Sequence, residues 1–283
     1  MSDAPQSAPL ETEVAAHYGK AGLLETILDG LAKAGADLDN LRPEDLAPVD
    51  EFHTAGRATT LKALEHFPVT ANAHVLDAGA GLGGTARCLA VERGCTVTGL
   101  DLTRDYVATA RALTERMGLS DRCAFIEGSA LDMPFEDDSF DAGVSFHAAM
   151  NIADRPRLYG ELARVLRPGS PLCLFDVMKG PAEGMLFPVP WAETEATSFL
   201  RSREETRALL DDAGFDTVVE ENLRDFSIAY FKDAFARASA SDGPPPLGLH
   251  LLTGANAPEK FSNYAAMLDA HQIEPVILAA RRR

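Results

Sequence analysis

The chain has 283 residues, 46% of them hydrophobic and 24% charged, which suits one large α/β domain or one domain with additions. Its formal net charge of −17 repels a phosphate-rich partner on average and sets nucleic acid aside. No apolar run reaches the roughly 20 residues of a membrane-spanning helix, so a membrane is not an expected partner.

The first ten residues begin the polar, acidic run MSDAPQSAPLETE. It has neither the pattern of a secretory signal nor that of an Arg-rich transit peptide, and it is expected to be disordered. Residues 11–33 space Val14, Leu23, Leu24, Ile27 and Leu31 as a helix does. A loop with Pro43 and Pro48 follows, then a second helix over 56–67, so residues 11–68 read as a helical cap. From there strands alternate with helices. HVLDAG is a strand ending at Asp77, GGTARCLAVERG a helix, and TVTGLD a strand ending at Asp101. RDYVATARALTERMG is a helix, CAFIEG and FDAGVSF are the third and fourth strands, and RPRLYGELARVLRPG is a helix stopped by Pro168-Gly169. PLCLFDVM is the fifth strand, SREETRALLDDAGF a helix opened near Ser202, and DTVVEENL the sixth strand. A helical insert over about 226–270, broken by GPPPLG, precedes the last strand, EPVILAAR. This alternation predicts an α/β fold: a doubly wound, seven-stranded, mostly parallel Rossmann-like sheet. Its ligands should sit beyond the carboxyl ends of the strands.

The four cysteines, Cys88, Cys95, Cys123 and Cys173, form no C-x-x-C pair and fall inside predicted elements. They read as buried reduced thiols of a cytoplasmic protein. The seven histidines show no metal-ligating spacing, so no metal is expected.

Chemistry concentrates in VLDAGAGLGG, Val75 to Gly84. Gly79, Gly81 and Gly84 spell G-x-G-x-x-G, and Asp101 follows about 20 residues on, as a dinucleotide site requires for its ribose. A nicotinamide oxidoreductase is therefore one reading. Asp77 speaks against it: a carboxylate beside a pyrophosphate is unfavourable. A ligand carrying an ammonium and a sulfonium would welcome it, and S-adenosylmethionine is such a ligand.

With LDAGAGLGG, VTGLDLT, EGSALDMPFEDDSFD and ELARVLRPGS in this order, the chain resembles the class I S-adenosylmethionine-dependent methyltransferases over roughly 70–180. The resemblance implies a reversed final strand, with residues 69–283 forming the donor-binding domain. It places Asp77 and Gly79 to Gly81 at the methionine end of the donor and Asp101 at the ribose hydroxyls. Leu102 would pack on the adenine, with Ser129, Ala130 and Leu131 at the adenine edge. Ser129 stands where many relatives have Asp, which weakens that contact. The outer segments VAAHYG, DEFHTAGR, HAAMNIADRPRLYGELARVLRPG and PPPLGLHLLTG resemble small-molecule methyltransferases near the sarcosine and dimethylglycine N-methyltransferases. The ubiquinone-type C-methyltransferases are more distant kin.

Methyl transfer from a sulfonium is an in-line displacement, and a base is needed only where the acceptor must lose a proton. His147, after the fourth strand, is the candidate base or acceptor contact; packing is its other reading. Met150 and Asn151 follow on the same loop, and Asn151 either holds an acceptor or caps the next helix. Tyr18, beside His17, would cover the donor from the cap. Arg57, next to His53 in FHTAGR, would pair the methionine carboxylate, or else form a surface ion pair. Trp191, with Phe187 and Phe199, would wall the acceptor pocket, and His250 would stand at its edge. The expectation is methylation of a small molecule, with an amine nitrogen favoured on resemblance alone. A carbon or oxygen of an aromatic or quinone-like metabolite is the alternative. A donor-binding protein without turnover is the non-enzymatic rival. The sequence does not determine the oligomeric state, and a homodimer stays open.

Overall fold

The structure, a computed structural model, describes residues 7–240 and 243–283. Four helices precede the sheet: α1 (Ser7–Tyr18), α2 (Leu23–Lys33), α3 (Pro43–Asp50) and α4 (Arg57–Glu65). Two expectations are corrected here. Disorder was expected over residues 1–10, but α1 already begins at Ser7, and the residues before it lie outside the described ones. Tertiary contacts hold this helix: Ser129 Oγ donates to Glu11, and Tyr18 Oη donates to Asn151 Oδ1 at 2.9 Å. The expected loop at Pro43 and Pro48 is α3 instead. Pro43 sits in the first turn, where no backbone N–H is needed, and Asp45 accepts the Arg42 N–H at 2.9 Å.

Then come β1 (His74–Ala78), α5 (Gly84–Arg93), β2 (Thr96–Asp101), α6 (Arg104–Arg116), β3 (Cys123–Glu127) and β4 (Ala142–Phe146). They are followed by α7 (Arg155–Val165), β5 (Pro171–Lys179), α8 (Arg203–Asp212) and β6 (Phe215–Asn222). The insert forms α9 (Arg224–Ser239), α10 (His250–Thr253) and α11 (Ala257–Asp269) before β7 (Ile273–Arg282). Ser202 opens α8 as expected: its hydroxyl accepts the Glu205 N–H, and Glu205 accepts the Ser202 N–H in return.

The strands order as β3-β2-β1-β4-β5-β7-β6. β1 to β5 pair in parallel, and β7 runs antiparallel between β5 and β6. The doubly wound sheet and the reversed last strand are thus as expected. Chain order reverses between β1 and β4, and their carboxyl ends form the crevice. The central strands β1 and β4 are buried almost throughout, while the edge strand β6 alternates half-buried and exposed residues after its buried first residue, as covered and half-covered strands do. α4, α5 and α6 cover one face around Leu64, Leu89 and Ala110; α7 and α8 cover the other around Leu162 and Leu210.

The cap and the insert close over the crevice. Ile27, Leu46 and Val49 of the cap pack with Tyr106 of α6 and Leu247 of the insert. Trp191, Phe231 and Tyr264 pack with Val177 of β5. Helices α2 and α3 thus pack against α6 and the insert through one shared apolar cluster. Gly84 opens α5 against the cap, where a Cβ would meet the Asp50 carbonyl at 2.4 Å. One turn on, the buried Arg87 ion-pairs with Asp50, donates to Leu82 O at 2.6 Å, and reaches Thr114 Oγ1 at 2.7 Å. A single guanidinium therefore joins the cap, the glycine loop and α6.

Candidate active site

The loop after β1 explains its own composition. Gly79 has φ 86°, and a Cβ there would lie 2.4 Å from Ala148 Cβ. Only glycine lets this turn pass against the turn that follows β4. Asp101, at the end of β2, accepts the Gly81 N–H at 2.8 Å and the Thr103 N–H at 2.8 Å. Burial raises its pKa and these two N–H groups oppose that, so the carboxylate is oriented across the loop with lone pairs to spare.

Gly79, Gly81, Asp101 and Leu102 border a cavity of about 1390 Å³. That exceeds the roughly 300–1,000 Å³ of a site for one drug-sized ligand, and it leaves room for a donor and an acceptor together. Ala130, Leu131 and Tyr106 line it, as do Met150, Trp191, Phe231, Phe261 and His250. Tyr230 and Phe235 of α9 line it too, and stay 38% and 41% exposed.

His147 caps β4 with φ 51°, uncommon for a residue with a side chain. Its N–H donates to Phe175 O at 2.7 Å, and its Nε2 is buried without a partner. Burial, then the neighbouring His53, holds its pKa well below the usual imidazole range, so it is neutral at pH 7. Asp176 of β5 props the same turn by accepting the Ala149 N–H at 3.3 Å. Its other oxygen is unpartnered, and burial pushes its pKa to about 7, against the pull of Arg155.

Asp176 is ionised in the unfolded chain above its ordinary value but still holds a proton in the folded one. Its contribution therefore falls as pH rises from about 4 to about 7, then levels off. Asp176→Asn is expected to raise stability by about 1–4 kcal/mol at pH 8, the scale of its shift, and by less at pH 5. Calorimetric melting at both pH values checks this; an equal gain at both would sink it.

The comparisons with known proteins agree. Residues 76–174 match the family described as "Methyltransferase domain". Methyltransferase GfsG of Streptomyces halstedii is 35% identical over 190 residues, 64% of this chain and 67% of that one. An O-methyltransferase of Pyrenophora dematioidea is 28% identical over 211 residues, 73% of this chain and 76% of that one. The glycine/sarcosine/dimethylglycine N-methyltransferase of Actinopolyspora halophila is 33% identical over 131 residues, 46% of this chain but 23% of that one. Among solved structures, geranyl diphosphate methyltransferase in complex with GPP and sinefungin has a TM-score of 0.74 at 19% identity, over 98% of this chain and 100% of that one; that likeness concerns the fold. The chain belongs to the class I S-adenosylmethionine-dependent methyltransferases.

The residues of this methyltransferase fit its donor. The glycine loop is a cradle that a Cβ would fill, and a carboxylate stands at the end of β2. The nicotinamide reading and the donor-binding protein without turnover give way to a methyltransferase of small molecules. No helix among the described residues is long and apolar enough to cross a membrane.

Several expected contacts are corrected. Asp77 does not face the cavity: it is 1% exposed beneath the loop, with Oδ2 unpartnered. Burial and the charge of Asp101 push its pKa to about 7, against the Ala86 N–H. Arg57 lies at the wall, but its guanidinium is committed to Glu92 at 2.8 Å and stands 3.9 Å from Glu51. Ser129 turns from the cavity to Glu11 and accepts the Leu131 N–H at 3.0 Å, while Glu11 itself reaches the wall. Asn151 does not cap α7; Asp154 does, accepting the Arg157 N–H at 3.1 Å. Asn151 instead accepts from Tyr18 and donates to Trp191 O and Thr197 O, each at 2.8 Å. It thereby ties α1 to the segment after β5, and the Tyr18 hydroxyl is spent on this tie. Trp191 Nε1 is bound to Ser198 Oγ at 2.9 Å, leaving its ring on the wall. His17 faces the Pro190 carbonyl at 3.4 Å.

Sequence reasoning missed Glu11, the aromatic face of α9, and the environment of His53. His53 is buried on the cavity wall, 5.7 Å from His147 between ring centroids. Its proximity to Arg57 was visible, but nothing in the spacing pointed toward the β4 end.

Proposed function

We propose that this methyltransferase methylates a hydroxyl group on a large, mainly apolar small molecule. The observation that carries the reading is the aromatic lining that α9 and α11 give the cavity, with two neighbouring imidazoles on the same wall. An amino-acid amine would leave that wall unused, whereas burying an apolar skeleton there is favourable. The likeness to an O-methyltransferase supports the same atom.

When bound, S-adenosylmethionine supplies an electrophilic methyl group. In our reading Gly79 and Gly81 hold its methionine end, Asp101 its ribose, and Leu102, Ala130 and Leu131 its adenine. Asp77 acts beneath the loop, Ser129 through Glu11, and Arg57 through the carboxylates it gathers. Tyr18 closes the cap over the donor and excludes water. Met150, Trp191 and His250 wall the acceptor, with Asn151 fixing the wall, and His147 contacts the acceptor hydroxyl. The buried free thiols support a reducing, cytoplasmic setting.

The test is release of S-adenosylhomocysteine, with mass analysis of products, over a panel of hydroxylated macrolactones, sterols and flavonoids set against sarcosine and dimethylglycine. Turnover of hydroxylated members alone supports the reading; turnover of the amines alone overturns it. His147→Ala is expected to lower the single-turnover rate about 10- to 100-fold, the scale of a misplaced acceptor, with donor affinity unchanged by calorimetry. An unaltered rate removes His147 from the site.

A further inference from the structure

Next to His147 the cavity wall holds a second imidazole whose surroundings fix its tautomer. His53 follows α3 in a turn where Ala55 has φ 61° and Gly56 φ 51°. This is backbone that persists only where its surroundings hold it. Three contacts do so. Thr54 Oγ1 is 2.5 Å from Tyr264 Oη of α11. His53 Nε2 is 2.9 Å from Thr60 Oγ1 and 3.4 Å from Glu51 Oε2. Thr60 in turn donates its one hydroxyl proton to Glu51 Oε2. Both neighbours of Nε2 therefore present lone pairs to it, and Nε2 must carry the hydrogen. Nδ1 is then the bare nitrogen, and it is buried without a partner in a residue that lines the cavity. The Glu51 side chain is 2% exposed, and the Arg57 guanidinium stands 3.9 Å from its other oxygen. A buried carboxylate behind one nitrogen and an orphaned lone pair at the other is the arrangement of a general base.

We infer that His53 is the base that takes the proton of the acceptor hydroxyl, with Glu51 as its positioning residue. This rests on the hydroxyl reading above and deepens it. The acceptor oxygen forms its bond to the methyl carbon while its proton passes to His53 Nδ1. The carbon–sulfur bond breaks with its electron pair going to sulfur, which leaves S-adenosylhomocysteine. The resulting imidazolium is stabilised by Glu51 and gives its proton to water once the product leaves. His147, 5.7 Å away between ring centroids, orients the oxygen.

Two measurements test this. Nitrogen-15 spectra of the wild-type protein labelled at histidine should show His53 protonated at Nε2 and bare at Nδ1, and Glu51→Gln should populate the other tautomer. A wild-type His53 protonated at Nδ1 overturns the inference without any acceptor. The second compares farnesol, an apolar alcohol, with 4-nitrophenol, which is ionised at neutral pH. His53→Gln should lower kcat for farnesol about 100- to 10,000-fold, the range of general-base catalysis, and lower that for 4-nitrophenol far less. Glu51→Gln should lower kcat for farnesol with its KM kept. Equal losses on both acceptors, or none on farnesol, overturn the base role while leaving hydroxyl methylation standing. If the wild-type enzyme turns over sarcosine but neither hydroxylated probe, the proposed function itself falls.

Discussion

Asp101→Ala is expected to weaken binding of S-adenosylmethionine at least about 100-fold. A carboxylate accepting two hydroxyls makes two charge-assisted hydrogen bonds, each worth about 1.5–3 kcal/mol. The same oxygens hold the Gly81 and Thr103 N–H groups at 2.8 Å, so the substitution also frees the loop that must approach the donor. S-adenosylhomocysteine discriminates between causes. It has the same ribose and lacks the sulfonium charge, so equal losses for both ligands mean the hydroxyl contacts dominate. A larger loss for S-adenosylmethionine means the charge does. Asp101→Asn keeps one acceptor oxygen and should fall between wild type and alanine. Titration calorimetry with both ligands decides the matter, and unchanged affinities would remove Asp101 from the donor site.

Arg87→Met is expected to destabilise the protein by about 3–5 kcal/mol, the cost of leaving a buried charge without its partner. Asp50 is buried, and its pKa is already raised to about 6 by burial despite Arg87. Without the guanidinium it rises further, so the loss should be larger at pH 8, where the fold must either ionise Asp50 unpaired or hold its proton against the solution, than at pH 5, where it keeps its proton. The substitution also strips hydrogen bonds from Leu82 O and Thr114 Oγ1, so the cap should loosen from α5 and α6 before the sheet unfolds. Hydrogen exchange should locate that loosening in α3 and the glycine loop. The double variant Arg87→Met with Asp50→Leu should recover most of the loss, because an apolar pair needs no compensation. A double variant as unstable as the single one would show that the cost lies in packing.

Local pattern was sufficient wherever a physical rule acts over neighbouring residues. The alternation of short apolar runs with helical spacing located the seven strands of the described residues, and Asp101 at the end of β2 fell on the cavity wall. The motif resemblance supplied the antiparallel last strand, which periodicity does not encode because a strand reads the same in either direction. Ser202 with Glu205 announced its own helix start. The errors have separate causes. Helix α3 was read as a loop around Pro43 and Pro48, although Pro43 falls in the first turn, where proline costs nothing, and Pro48 is carried inside this short helix. Ser7–Leu10 were read as disordered because their helix depends on Ser129 and Asn151, more than a hundred residues away.

The sequence by itself determined the sheet, the donor loop and the reaction class, since these depend on period, on glycine where a Cβ cannot fit, and on motif order. Only the tertiary structure decided which way each polar side chain is spent. Arg57 goes to Glu92, Asn151 to α1 and the segment after β5, and Asp77 beneath the loop, while His53 is left with a bare nitrogen on the wall. A polar group in a closed interior takes the partners that packing brings to it. Here those partners come from the cap, the sheet and the insert, whose convergence no stretch of neighbouring residues records.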